Sequence, residues 1–232
     1  MSVPTAVVLA GGLGTRLRFV VSDRPKVLAP VRGRPFLAHI LDRLDAARVW
    51  DVVLATGYQA AQIRATFGGR HRGLRLHYSE EPQPLGTGGA LARALSLATS
   101  DPVLVLNGDS LCAVDLDALR LTHERAGVEG TLVVTTVPDA GRYGSVAVGK
   151  DCRIDGFVEK RDGGGAGLVN AGIYLLSRRL LTTIPRDVAV SLERDLLPAW
   201  IAMGLAAHRT DAPLLDIGTP DAYAAAEDFL EP

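Results

Sequence analysis

Three glycines in four residues, Gly11-Gly12-Leu13-Gly14, follow an apolar run, Thr5-Ala6-Val7-Val8, and lead into Thr15 and Arg16. Closely spaced glycines let backbone N–H groups converge on one point, and a guanidinium beside them suits a polyphosphate. The same residues read equally as a bare strand-to-helix turn that needs positive φ. Two common nucleotide signatures do not fit. A dinucleotide G-x-G-x-x-G needs glycine where the chain has Leu17, and a Walker loop needs Gly-Lys-Ser/Thr where it has Thr15-Arg16.

Other chemically distinctive segments recur along the chain. Lys26 follows Pro25. Leu85-Gly86-Thr87-Gly88-Gly89-Ala90 is a second glycine loop before a helix. Asn107-Gly108-Asp109 and Asp216-Ile217-Gly218-Thr219-Pro220 each end an apolar run on an acid. Each has a plainer reading. Asn107-Gly108 makes an ordinary turn with Asp109 capping the next element. Asp216 caps a final helix, although Thr219 suits that role better. Glu159-Lys160 is a solvated pair of little consequence, and Asn170 satisfies backbone at a strand start. The five histidines show no metal spacing.

The elements between these segments give the set its meaning. Val7-Val8-Leu9-Ala10, Asp51 to Ala55, Leu74 to Tyr78 and Pro102 to Asn107 read as strands. Amphipathic stretches separate them: Phe36, Leu37, Ile40, Leu41 and Leu44 at helical spacing, then Gln59 to Phe67, then Leu91 to Leu97. This alternation predicts an open, mostly parallel, doubly wound α/β sheet of Rossmann-like type. From residue 130 to 176 the pattern turns strand-rich and predicts an antiparallel insertion or flap, with a hairpin near 144–158. Helix (Leu192, Leu196, Trp200), strand (Leu214 to Ile217) and a helix opened by Thr219-Pro220-Asp221 complete the chain. Ligands of open α/β sheets bind outside the carboxyl ends of the strands. Both glycine loops and both aspartates would lie on that rim.

Composition narrows the alternatives. At 232 residues and 47% hydrophobic, the chain can bury a sizeable core as one domain, 1–232, without disulfide staples. Cys112 and Cys152 read as buried free thiols. A net charge of −1 gives no electrostatic footprint for nucleic acid or an anionic membrane. There is no apolar run of membrane-spanning length, and no basic-then-apolar leader precedes the first strand. The expected location is cytoplasmic.

In order and spacing these segments resemble the sugar-1-phosphate nucleotidyltransferases, from Val7 to about Tyr223. The resemblance rests on Leu9 to Leu17, Pro25-Lys26, Leu85 to Gly89, Asn107-Gly108-Asp109, Tyr143-Gly144, Glu159-Lys160, Asn170-Ala171-Gly172 and Asp216 to Pro220. Arg18 to Lys26 and Glu81 to Ala90 look like the branch that uses GTP and a D-glycero-D-manno-heptose 1-phosphate. Phe19-Val20-Val21 stands where many relatives have Pro-Leu-Thr, and Arg161 follows Glu159-Lys160 where many have proline.

The resemblance implies transfer of a nucleoside monophosphate to a sugar 1-phosphate, with release of pyrophosphate. It implies Arg16, Lys26 and Asp109 in catalysis. Leu9, Gly11, Gly12, Gly14, Thr15, Arg16, Gly86 and Gly108 would meet the nucleotide, and Gly144, Glu159, Lys160 and Asn170 the sugar phosphate. Asp109 and Asp216 would hold Mg²⁺. Uridylyl transfer, and mannose, glucose or N-acetylmuramate 1-phosphates, stay open, as does a homo-oligomer. A non-catalytic regulatory subunit on the same fold is the reading of a different class. Such subunits usually lose metal carboxylates or the loop arginine, and this chain keeps Arg16, Lys26, Asp109 and Asp216.

Overall fold

The computed structural model describes residues 3–158 and 165–230, so Glu159 and Lys160 lie outside the described residues. The strands are β1 (Ala6–Leu9), β2 (Pro30–Val31), β3 (Arg34–Pro35), β4 (Asp51–Thr56), β5 (Arg70–His71), β6 (Leu74–Glu80), β7 (Val103–Asn107) and β8 (Ser110–Cys112), then β9 (Gly130–Val137), β10 (Ser145–Val148), β11 (Ile154–Val158), β12 (Gly167–Leu176), β13 (Leu205–Thr210) and β14 (Leu214–Asp216). The helices are α1 (Phe36–Ala46), α2 (Ala60–Phe67), α3 (Gly86–Ala94), α4 (Leu116–Ala126), α5 (Arg178–Leu181), α6 (Leu197–Gly204), α7 (Pro220–Ala224) and α8 (Ala226–Phe229).

One eight-stranded sheet runs in the order β13-β9-β12-β7-β1-β4-β6-β5. Strands β7, β1, β4 and β6 are mutually parallel, as the alternating strands and helices predict. Successive residues of a strand face opposite sides, and β1 shows it. Ala6 and Val8 join a core with α1, α2 and α4, whereas Val7 joins a second core with α3 and α6. The apolar stripe of α1 (Phe36, Leu37, Ile40, Leu41 and Leu44) is fully buried in the first core, each side chain contributing about 1.5–3 kcal/mol by leaving water.

The strand-rich block divides in two. The hairpin β10–β11 stands apart as a two-stranded ribbon. Strands β9 and β12 instead join the main sheet, with β12 running antiparallel between β7 and β9. This antiparallel pairing brings the start of β12 to the same edge as the end of β7. Beyond β9, strand β13 closes the order in parallel. Its alanines carry almost no β signal, which is why Leu205–Thr210 does not read as a strand.

Helix α3 begins at Gly86, five residues before the apolar spacing at Leu91 announces it. Its glycines are inside the first turn because there is no room for side chains. A Cβ on Gly86 would stand 2.6 Å from the Val190 carbonyl oxygen, and one on Gly89 2.6 Å from that of Val188. Cys112 is buried, as expected; Cys152 is exposed, on a turn at φ 62°. Among the described residues no helix is long and apolar enough to cross a membrane.

Candidate active site

The parallel strands end on one rim, and the segments leaving their carboxyl ends build a cleft of about 500 Å³. After β1 come Gly11, Gly12, Gly14, Thr15 and Arg16, all lining it. After β6 come Glu81, Pro84, Gly86 and Thr87; at the end of β7 come Asn107 and Asp109. Lys26 and Leu9 complete the wall on the first loop's side. The sequence places these segments on a common rim, and the fold brings them round a single space.

Glycine is required at particular points. Gly14 has φ 59°, and a Cβ there would sit 2.9 Å from the Lys26 Cβ. Gly108 hydrogen-bonds its N–H to the Leu9 carbonyl at 2.9 Å. A Cβ on Gly108 would lie 2.6 Å from that carbonyl oxygen. Gly108 therefore holds the end of β7 against the end of β1, and it does not itself line the cleft.

Asp109 and Asp216, far apart in sequence, are joined by the short ribbon of β8 and β14. Ser110 pairs with Asp216 in its register, and the Ile217 N–H donates to the Asp109 carbonyl at 3.0 Å. Burial pushes the Asp216 carboxyl above the ordinary range, and the Asp109 charge adds to the shift. Lys26 Nζ donates to Asp109 Oδ2 at 2.7 Å, its side chain only 10% exposed. The Gly218 Cα marks where these charges meet. A Cβ there would lie 2.6 Å from Asp216 Oδ1, and 3.4 Å from both Arg16 Nη2 and Lys26 Nζ. The Gly218 N–H donates to Asp216 Oδ1. Thr219 caps α7 through the Ala222 N–H, so the helix does not need Asp216 for that purpose.

Two acids that the sequence does not single out enter the cleft. Glu81 accepts the Leu85 N–H at 3.0 Å, and its Oε1 is packed against Gly11 and Gly57, where a Cβ would approach to 2.8 and 2.5 Å. Burial pushes its carboxyl up, and the Leu85 N–H only partly offsets that. Glu193 lies in a π-helical turn, Leu192–Leu196, and accepts Thr87 Oγ1 at 2.7 Å and Asn107 Nδ2 at 3.4 Å. Neither position has a spacing signal: an acid beside prolines, or in a helix, is usually a solvated surface group.

The residues expected at the sugar divide. Asn170 donates from Nδ2 to the buried Tyr174 hydroxyl at 2.8 Å and accepts the Gly172 N–H at 2.9 Å. A shift of register between Asn170 and Tyr174 accommodates Gly172 at φ 73°. Gly144, at φ 83°, donates its N–H to the Ala140 carbonyl at 3.0 Å. Neither Asn170 nor Gly144 lines the 500 Å³ cleft.

A mostly parallel sheet with a glycine-lined, cation-bearing cleft at its carboxyl edge is an α/β architecture suited to a polyanionic ligand such as a nucleotide. The chain belongs to the nucleotidyl transferase family, whose sequence profile matches residues 5–232. It is 36% identical over 227 residues to the D-glycero-alpha-D-manno-heptose 1-phosphate guanylyltransferase of Aneurinibacillus thermoaerophilus, covering 97% of this chain and 98% of that one. It is 37% identical over 222 residues to the mannose-1-phosphate guanylyltransferase of Mycobacterium tuberculosis, covering 94% of this chain but 62% of that longer protein. In three dimensions it is similar to HddC from Yersinia pseudotuberculosis complexed with GMP-PN. That match has a TM-score of 0.86 at 31% identity and covers 99% and 100% of the two chains.

Proposed function

We propose that this chain transfers GMP from GTP to a sugar 1-phosphate, D-glycero-α-D-manno-heptose 1-phosphate being the preferred acceptor, and releases pyrophosphate. The observation that carries the base choice is Glu81. Its half-buried carboxylate faces the glycine loop, and its Oε1 has no hydrogen-bond donor among the described residues. Guanine presents adjacent N1–H and N2–H donors to such a group; uracil, thymine and adenine offer no such pair of donors.

The acceptor needs no base to activate it. A sugar 1-phosphate has a second pKa of about 6, so its oxygens are already anionic at neutral pH. One of them attacks the α-phosphorus in line, a P–O bond forms, and the bond to the β-phosphate oxygen breaks. The electron pair leaves with pyrophosphate. Catalysis is then positioning and charge stabilisation. Arg16 and the N–H groups of Gly12 to Thr15 hold the departing phosphates. Lys26, already within the cleft, meets the charge that builds on the α-phosphate. By the sequence resemblance, Lys160 holds the sugar phosphate and Glu159, Gly144 and Asn170 serve the sugar hydroxyls, Gly144 and Asn170 from outside the lining of the nucleotide cleft. Glu159 and Lys160 lie outside the described residues, and their roles rest on the sequence resemblance.

Asp109 and Asp216 fit a divalent cation. They are two hard oxygen donors, the kind magnesium favours, and burial first, then the Asp109 charge, raises the Asp216 carboxyl, a strain that a cation would relieve. Held by Asp109 and Asp216, Mg²⁺ would supply positive charge to offset that of the phosphates. A matrix of GTP, ATP, UTP and CTP against heptose, mannose and glucose 1-phosphates, read by pyrophosphate release, tests the reading. GTP with the heptose phosphate should be fastest. UTP preference would overturn the base assignment, and faster turnover of mannose 1-phosphate would overturn the acceptor assignment.

A further inference from the structure

Beyond the C-terminal half of α3 lies a second cleft of about 610 Å³, larger than the first. Arg93 from α3, Arg178 from α5 and Arg186 from the loop after α5 all line it. Each guanidinium carries five N–H donors, and most are unspent. Arg93 uses Nε on the Glu80 carbonyl at 2.8 Å and stands 4.0 Å from the Asp187 carboxylate. Arg178 uses Nη1 on the Ala98 carbonyl at 2.6 Å. Arg186 is exposed and has no hydrogen bond or ion pair among the described residues. Glu80 and Asp187 are the two carboxylate-bearing residues of the lining, so cations outnumber anions. Three guanidinium groups against two carboxylates leave the concavity net positive, which favours an anionic ligand. Buried Leu181 and Ile184 also line the cleft and offer apolar surface to an organic group.

We propose that this cleft binds the phosphate of a small phosphomonoester through Arg93, Arg178 and Arg186, and that its occupancy tightens the nucleotide cleft. The link is covalent and short. From Arg186 the chain continues to Val190, whose carbonyl accepts the Gly88 N–H at 2.9 Å and whose N–H donates to the Leu85 carbonyl at 2.9 Å. Arg93 stands on the helix that Gly86 begins. A dianion clamped between Arg93 and Arg186 therefore ties α3, whose first turn lines the first cleft, to the segment that runs on through Val190 to Glu193, which also lines it. Binding itself rests on these arginines alone; the coupling also rests on the first cleft being the nucleotide's.

The test is calorimetry with glycerol 3-phosphate on the full chain, with a non-hydrolysable GTP analogue saturating the first cleft. The ester should bind, and Arg186→Gln should weaken it about tenfold, the size of one lost charged hydrogen bond. Arg93→Gln added to it should weaken binding further, while Lys160→Ala should leave it unchanged. No binding, binding indifferent to Arg186→Gln, or binding lost in Lys160→Ala would overturn the site. Inorganic phosphate binding as tightly as the ester would overturn the assignment to a phosphomonoester. In turnover, the ester should lower KM for GTP in the native chain but not in Arg186→Gln, with kcat unchanged. Equal KM with and without ester would overturn the coupling. Failure of the nucleotide reading would show separately, as a GTP analogue that does not bind while the ester does.

Discussion

Replacing Glu81 by glutamine keeps the shape of the side chain and removes its charge, so it isolates what the carboxylate does for the base. In the native chain one oxygen accepts the Leu85 N–H and the other stands against Gly11 and Gly57. A guanine in that slot directs two donors at the carboxylate. Each hydrogen bond to a charged group is worth about 1.5–3 kcal/mol. Glutamine offers one acceptor oxygen and turns an NH₂ donor against the second guanine donor. The expected loss is one charged bond plus an unpaired donor, roughly 3–4 kcal/mol, or about 10²–10³-fold in kcat/KM for GTP. Inosine triphosphate lacks the 2-amino group and supplies the control. The native chain should prefer GTP to ITP by about tenfold or more, and Glu81→Gln should largely abolish that preference. Stability should not fall in parallel. Burial raises the folded pKa of Glu81, so its contribution to stability is present below the unfolded value of about 4.3 and lost as pH rises through the folded one. At pH 7 the buried charge is a liability, and Glu81→Gln should unfold at a temperature no lower than the native chain. GTP turnover within about threefold of native, or an unchanged GTP-to-ITP ratio, would refute the reasoning.

The raised Glu81 carboxyl also predicts that KM for GTP climbs on acidification from a higher pH than an ordinary glutamate would give. The Glu81→Gln variant should show no such rise. Asp109→Asn and Asp216→Asn should each lower turnover by roughly 10²-fold or more, with partial rescue at high Mg²⁺. The double variant should fall far short of the product of the two, because groups on one ion act as a unit; full multiplicativity in a titration against Mg²⁺ would separate them. Lys160→Ala should raise KM for the sugar phosphate much more than KM for GTP, and equal increases would remove its assignment. Gly108→Ala would press a methyl into the Leu9 carbonyl, so the ends of β1 and β7 must part. Turnover should fall with thermal stability, and a native melting curve would contradict that packing.

Much of this arrangement is legible in the chain because two regularities coincide. Apolar runs such as Pro102 to Asn107 locate parallel strands, and glycines or acids directly after them locate the rim. Asp216 could be paired with Asp109 only by resemblance, since the ribbon joining them is three residues per strand and too short to show a period. The flap expected over 130–176 becomes two strands of the main sheet and a hairpin, because alternation reports a strand but not its neighbour. Glu81 and Glu193 escape for a different reason. Their place in the cleft comes from Gly11, Gly57, Thr87 and Asn107 standing beside them, and those contacts are made only in the folded chain.

On the proposed reading, the α-phosphorus of GTP moves to a sugar 1-phosphate oxygen in this cleft. Phosphorus NMR of the protein with GTP, D-glycero-α-D-manno-heptose 1-phosphate and Mg²⁺ tests it directly. One pyrophosphate should appear for each new sugar diphosphate linked to guanosine, with both reactant signals falling in step. Release of GDP and inorganic phosphate, or of GMP without a sugar diphosphate, would contradict it.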